Sequence, residues 1–223
     1  MENIVVGLDI GTTKTCAVIG YLNENKQVEV VGVGNAPSRG LKNGVIVNID
    51  NTATSIEKAI EDAELMAGHE VSEVLVGVSG QHVKGENSRG VVAISNRSRT
   101  ISPIEVKRVI EAAQAIVIPV DREILHVLSK EFSVDDQTGI KDPIGMSGVR
   151  LEAEVHIITG STSSIQNMIK AVDKAGFQLK DVVFNPLASS DAVLSRDERE
   201  LGVAIIDIGG GTTEVAILSM GGV

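Results

Sequence analysis

Two short stretches of this chain carry the residue types for phosphate chemistry. One reads L-D-I-G-T-T-K-T (8–15) and the other I-D-I-G-G-G-T-T-E (206–214). Each ends an apolar run with an aspartate and follows it with glycine and threonine. Glycines in a strand–turn–strand leave backbone N–H groups unshielded, and a concave row of such groups suits phosphate oxygens. Threonine hydroxyls add donors with little bulk. A carboxylate beside a phosphate is repulsive alone, but with Mg²⁺ between them, usually through water, it becomes useful. A single Asp-x-Gly-Thr turn is an ordinary hairpin, because Gly and Asp are common in turns. Two copies, each between two apolar runs, point to a triphosphate gripped from two sides. There is no Walker A pattern, and no G-x-G-x-x-G opens a helix after a strand, so P-loop and dinucleotide folds do not fit.

These turns need strands to carry them. The runs N-I-V-V-G-L-D-I and T-C-A-V-I-G-Y-L flank the first turn, and Q-V-E-V-V-G-V-G gives a third strand. V-I-V-N-I-D leads into a helix with apolar positions at Ile56, Ile60, Ala63 and Met66–Ala67 and a stop at Gly68. E-V-L-V-G-V-S is a buried strand. The segment S-T-S-S-I-Q-N-M-I-K-A-V-D-K-A-G is a helix ending at Gly176, D-V-V-F-N is a strand, and P-L-A-S-S-D-A-V-L-S is a helix with Pro186 in its first turn. Residues 84–158 differ. They hold one helix, opened by a capping box at Ser102, Pro103 and Glu105, and several strands, and they read as a small inserted α+β domain. Within them, Lys84, Arg89, Arg97, Arg99, Lys107 and Arg108 face only Glu86 and Glu105 over residues 84–108. This is either a solvated face or a contact surface for an acidic partner, such as a neighbouring copy.

Composition narrows the class. The chain has 223 residues, 43% of them apolar, and a mean hydropathy of +0.17, enough for a packed core. Aromatics are few, so Val, Ile, Leu and Ala must fill that core. The net charge of −10 argues against a nucleic-acid-binding surface. The single cysteine, Cys16, cannot form an internal disulfide, and no apolar run reaches the roughly 18 residues of a membrane span. Together with the absence of a signal pattern this gives a cytoplasmic protein as the expectation. His69, His82, His126 and His156 lack metal-ligand spacing and read as surface or packing residues. Cys16 reads as core, and Ser189, Ser190 and Asp191 as helix surface.

The residues D-I-G-T-T-K-T-C and D-I-G-G-G-T-T-E resemble the two phosphate motifs of the actin, Hsp70 and sugar-kinase superfamily. N-P-L-A-S-S-D-A-V-L sits where that superfamily has a connecting helix. G-V-G-N-A-P-S-R-G-L-K-N-G-V-I-V-N-I-D, A-I-E-D-A-E-L-M-A-G, G-I-K-D-P-I-G-M-S-G-V-R-L-E-A-E-V-H-I-I-T-G and L-A-S-S-D-A-V-L-S-R-D-E-R-E-L-G-V-A-I-I-D-I-G-G-G-T are similar to the bacterial cell-division family FtsA, in its order and across the chain. The resemblance implies an α/β fold. Residues 1–83 and 159–200 would form an actin-like (ribonuclease H-like) subdomain 1A, 84–158 the inserted subdomain 1C, and 201–223 the first hairpin of subdomain 2A.

It also implies a site. Asp9, Gly11, Thr12, Thr13 and Lys14 match the first phosphate loop, and Asp207, Gly209, Gly210, Gly211, Thr212 and Thr213 the second. ATP is the implied cofactor, with Asp9 and Asp207 holding Mg²⁺ through water. The implied role is an actin-like scaffold that binds ATP, self-associates, links the FtsZ ring to the inner face of the cytoplasmic membrane at the septum, and recruits later division proteins. Its membrane contact would come from a C-terminal helix outside these residues. Hydrolysis would be weak at most. The alternatives on this fold are an ATP-dependent kinase or ATPase, or a pilus-assembly actin homologue. Two strands at the C-terminal end cannot bury a face alone, so we expect further chain beyond Val223, an exposed hairpin face, and little ATP affinity for these residues in isolation.

Overall fold

The computed structural model describes residues 4–24, 27–116 and 118–219. In chain order its elements are β1 (Ile4–Ile10), β2 (Lys14–Leu22), β3 (Val28–Pro37), β4 (Leu41–Lys42), β5 (Val45–Ile46), α1 (Ile49–Ala67), β6 (Glu73–Val78), β7 (Val83–Ala93), α2 (Pro103–Gln114), β8 (Arg122–Val134), β9 (Gln137–Ile140), β10 (Arg150–Ser161), α3 (Thr162–Lys174), β11 (Gln178–Phe184), α4 (Asn185–Val193), α5 (Arg196–Leu201), β12 (Val203–Ile208) and β13 (Thr213–Leu218). The chain divides into two compact units. Met1–Val83, Gly160–Val193 and Ile205–Ala216 form the first, and Lys84–Thr159, Leu194–Ala204 and Ile217–Val223 form the second.

In the first unit the sheet runs β11-β6-β1-β2-β3. β1, β2 and β3 are an antiparallel meander, and β6 and β11 join in parallel. Side chains alternate across each strand. That period buries Val6 and Leu8 of β1, Ala17 and Ile19 of β2, and Val74 and Val76 of β6. Helix α1 packs against β2 and β3. It starts at Asn48, whose side chain accepts from the Asn51 N–H, and stops at Gly68 in the left-handed region (φ 70°). Its buried stripe is Ala53, Ile56, Ala59, Ile60 and Ala63. The close approach needs Gly34, where a Cβ would lie 1.9 Å from the Ala59 carbonyl oxygen. Helix α3 adds Ile165, Met168, Ala171 and Val172.

Several expectations are corrected here. Met66 is 66% exposed, because the 3.6-residue period carries the stripe from Ala63 past it. Cys16 is half-buried, since the two-residue period of β2 gives the buried face to Thr15, Ala17 and Ile19. Ser190 is buried and donates to the Leu187 carbonyl, so it is not helix surface. The helix that V-I-V-N-I-D leads into starts inside that segment, with α1 beginning at Ile49 after a short strand at Val45–Ile46.

The second unit has a four-stranded sheet, β7-β10-β8-β9, and the helix α2. Val109 and Ala113 of α2 join Phe132, Val134, Leu151, Ala153, Val155 and Ile157 in one core cluster. The capping box forms: the Ser102 N–H donates to the Glu105 carboxylate (3.0 Å), and the Ser102 hydroxyl oxygen accepts from the Ile104 N–H (3.3 Å). β12 and β13 pair as a two-stranded sheet, as the C-terminal sequence pattern predicts. Ile206, Ile208 and Val215 stay exposed on it.

Candidate functional site

Strand β1 ends in Asp9–Ile10 and strand β12 in Asp207–Ile208, and each aspartate stands two residues before a turn. The turns close alike. The Gly11 N–H donates to the Lys14 carbonyl at 3.0 Å, and the Gly209 N–H donates to the Thr212 carbonyl at 2.9 Å. The repeated phrase in the sequence is therefore a repeated backbone structure. The first turn is braced from the residue after β3: the Ser38 N–H donates to the Thr13 carbonyl (3.0 Å), and the Thr15 and Ser38 hydroxyls are hydrogen-bonded at 2.8 Å.

The two tips touch. A Cβ on Gly210 would lie 2.2 Å from Thr13 Cγ2, and one on Gly211 would lie 2.6 Å from Thr12 Oγ1. A third turn joins them. Asn43 (φ 50°) and Gly44 (φ 74°) connect β4 to β5 with both residues left-handed, the form a type I′ hairpin requires. The Gly44 N–H donates to Thr12 Oγ1 at 3.1 Å.

Beside these tips lies a cavity of about 310 Å³. Asp9, Gly11, Thr12, Thr13, Lys14, Asp207, Gly209, Gly210 and Thr212 line it, together with Gly44, Val78, His82, Ile165, Met168, Asn185 and Glu214. Gly211 and Thr213 are outside the wall: Gly211 packs on Thr12, and Thr213 is exposed at the start of β13. Asp191 is exposed on α4, also outside the wall.

Asn185 and Glu214 were not singled out by the sequence, and His82 read as a surface or packing residue; all three line the cavity. Of the features at the site that the sequence reading did not single out, the Asn43-Gly44 turn has a local signal. Asn185 Nδ2 donates to Asp9 Oδ1 at 3.0 Å, a contact between residues 176 apart in sequence.

The electrostatics of the cavity are unbalanced. Asp9 is still open to solvent at the end of β1, yet partial desolvation by the cavity walls pushes its carboxyl above its usual range. The Asn185 hydrogen bond pulls it down, the like charge of Asp207 pushes it up again, and Lys14 lowers it. Among the described residues no three His, Cys, Asp or Glu side chains are grouped to hold a metal ion. A cation here would rest on Asp9, Asp207, water and an anionic ligand. That donor set fits Mg²⁺, which keeps several waters and takes one or two carboxylates plus phosphate oxygens. A Cβ on Gly11 would stand 2.9 Å from the Lys14 carbonyl oxygen, so the closed form of the first turn requires glycine there.

Comparison with known proteins places the chain. The family model described as the SHS2 domain inserted in FTSA matches residues 80–159. The cell division protein FtsA of Borreliella burgdorferi is 54% identical over 97% of this chain and 52% of its own length. That of Pseudomonas aeruginosa is 47% identical over 99% of this chain and 52% of its own length. That of Escherichia coli K12 is 39% identical over 99% of this chain and 52% of its own length. The chain thus spans about half the length of the curated relatives it matches. In the solved structure of a PilM-PilN type IV pilus biogenesis complex, one chain superposes with a TM-score of 0.65 at 16% identity, over 96% of this chain and 57% of that one. The ethanolamine utilization protein EutJ from Carboxydothermus hydrogenoformans gives 0.50 at 16% identity, over 98% of this chain and 48% of its own. These two share its fold, an actin-like α/β arrangement. With relatives of one name at 39–54% identity over nearly all of its residues, the chain belongs to the FtsA family of cell-division proteins.

Proposed function

We propose that the cavity is one half of a Mg²⁺–ATP site and that the chain acts as a nucleotide-bound scaffold of the division machinery. The observation that carries this reading is the pair of equivalent Asp-x-Gly turns whose tips meet beside one cavity. A bound Mg²⁺ would neutralise phosphate charge. Asp9 and Asp207 would hold it through water, and the glycines of both turns would leave backbone N–H groups within reach of the phosphates. Lys14, at the cavity wall, supplies positive charge. Gly211 and Thr213 would serve the second turn's conformation rather than contact the ligand directly.

Hydrolysis is slow at most, and nucleotide works as a structural switch. Asp191, the carboxylate nearest in sequence to a water-positioning role, stands outside the cavity wall. Residues 1–83 and 159–200 are read as subdomain 1A, 84–158 as subdomain 1C, and 201–223 as the start of subdomain 2A. The FtsZ ring and later division proteins are the partners, with self-association into actin-like polymers. The site of action is the inner face of the cytoplasmic membrane at the septum. Among the described residues no helix is long and apolar enough to cross a membrane. Membrane contact is assigned to an amphipathic helix C-terminal to these residues.

Calorimetric titration of the full-length protein with ATP and Mg²⁺ tests the nucleotide reading. Asp207→Asn should weaken binding about a hundredfold, or about 2.7 kcal/mol. Undiminished affinity in that variant would remove the second turn from the site.

A further inference from the structure

Asn185 reaches Asp9 because the sheet leaves it room. Gly77 of β6 is the neighbour of Asp9 in the parallel β1–β6 pairing and of Val183 in the β6–β11 pairing. Asn185 follows directly after β11 as the first residue of α4. A Cβ at Gly77 would lie 2.1 Å from Asn185 Oδ1 and 3.2 Å from its Cγ. The carboxamide therefore occupies the space a side chain at position 77 would fill. From that seat its Nδ2 donates to Asp9 Oδ1.

The choice of an amide has a physical consequence. A lysine or arginine in this place would hold the carboxylate equally well but would neutralise it and repel a cation. An amide fixes one oxygen and leaves the charge intact. With Oδ1 committed to Asn185, the other oxygen, Oδ2, lies on the Gly11 side, 3.8 Å from where a Gly11 Cβ would stand. That is the side of the first turn. The same logic governs metal sites generally, where a hydrogen-bonded outer partner orients the ligand.

We propose that Asn185, seated over Gly77, is a positioning residue that orients the Asp9 carboxylate toward a divalent cation. This rests on the Mg²⁺–ATP reading above. Gly77 belongs to the same device, since it is the vacancy that admits the amide.

The test is calorimetric titration of the full-length protein with ATP, once with Mg²⁺ and once with EDTA. Asn185→Ala should weaken Mg²⁺-supported binding about tenfold while leaving EDTA binding and the melting temperature near wild type. Asn185→Asp keeps the shape, removes the donor and adds a like charge, so its loss should be at least as large. Gly77→Ala should displace the amide and reproduce the Asn185→Ala loss. The double variant Asn185→Ala/Gly77→Ala should be no worse than either single, because both act through one contact. Equal losses with Mg²⁺ and EDTA, or additive losses in the double variant, would overturn the proposal. A wild-type protein whose ATP affinity ignores Mg²⁺ would overturn the Mg²⁺ reading itself, and this proposal with it.

Discussion

The carboxylates of the two units are treated in opposite ways. In the second unit Glu154 sits between two cations, with Lys130 Nζ at 3.0 Å and Arg89 Nη2 at 3.1 Å. Glu105 is held by its own capping partner, Ser102. Both carboxyls lie below their usual range, Glu154 chiefly through the Lys130 hydrogen bond and Glu105 through the Ser102 side chain. In the first unit Asp9, though open to solvent, lies above its usual range through partial desolvation, and Asp207 adds repulsion. Charges that are paired within the fold serve the fold. A single carboxylate raised beside a cavity is the pattern expected of a functional site rather than of a structural ion pair.

The largest effect that would sharpen this contrast is on packing. Leu151 is fully buried in the core cluster of the second unit. Leu151→Ala should cost about 3 kcal/mol of stability, read by chemical denaturation, while the folded protein keeps its Mg²⁺–ATP affinity. A comparable loss of affinity would show that the cavity depends on that core and would erase the distinction between the regions.

The next effect is the pH dependence, where the signs differ. Glu154 has a lowered carboxyl, so its stabilisation is present above the ordinary carboxylate range and is lost as pH falls through its lowered value. Glu154→Gln should therefore destabilise at neutral pH, by about 0.5 kcal/mol for a partly exposed pair, and cost nothing in strong acid. Asp9 is raised, so its ionised form is a penalty at neutral pH that is relieved as pH falls through the raised value. Asp9→Asn should stabilise the nucleotide-free protein at neutral pH and lose that advantage in acid. Denaturation of both variants across pH measures this. Slopes of the same sign would break the comparison.

The sequence showed much of this architecture because the signals are local. The glycine–threonine turns, the capping box at Ser102–Glu105 and the left-handed stop at Gly68 each depend on residues within a few positions of one another. Local signals were also overlooked. Ser195 and Glu198 form a second capping box that opens α5, and Asn43-Gly44 is a type I′ turn in plain sight. What could not be read was set by tertiary register. Asn185 meets Asp9 only because β1, β6 and β11 are adjacent parallel strands. The burial of Ser190 and the half-exposure of Cys16 follow from which face the neighbouring elements cover, which no local window contains.

The central claim is that two equivalent turns serve one ligand. Backbone hydrogen exchange of the full-length protein, with and without Mg²⁺–ATP, tests it most directly. The account predicts that amides in residues 9–14 and 207–212 gain protection together at the same ligand concentration. Protection of one turn alone, or of neither while ATP binds, would contradict it.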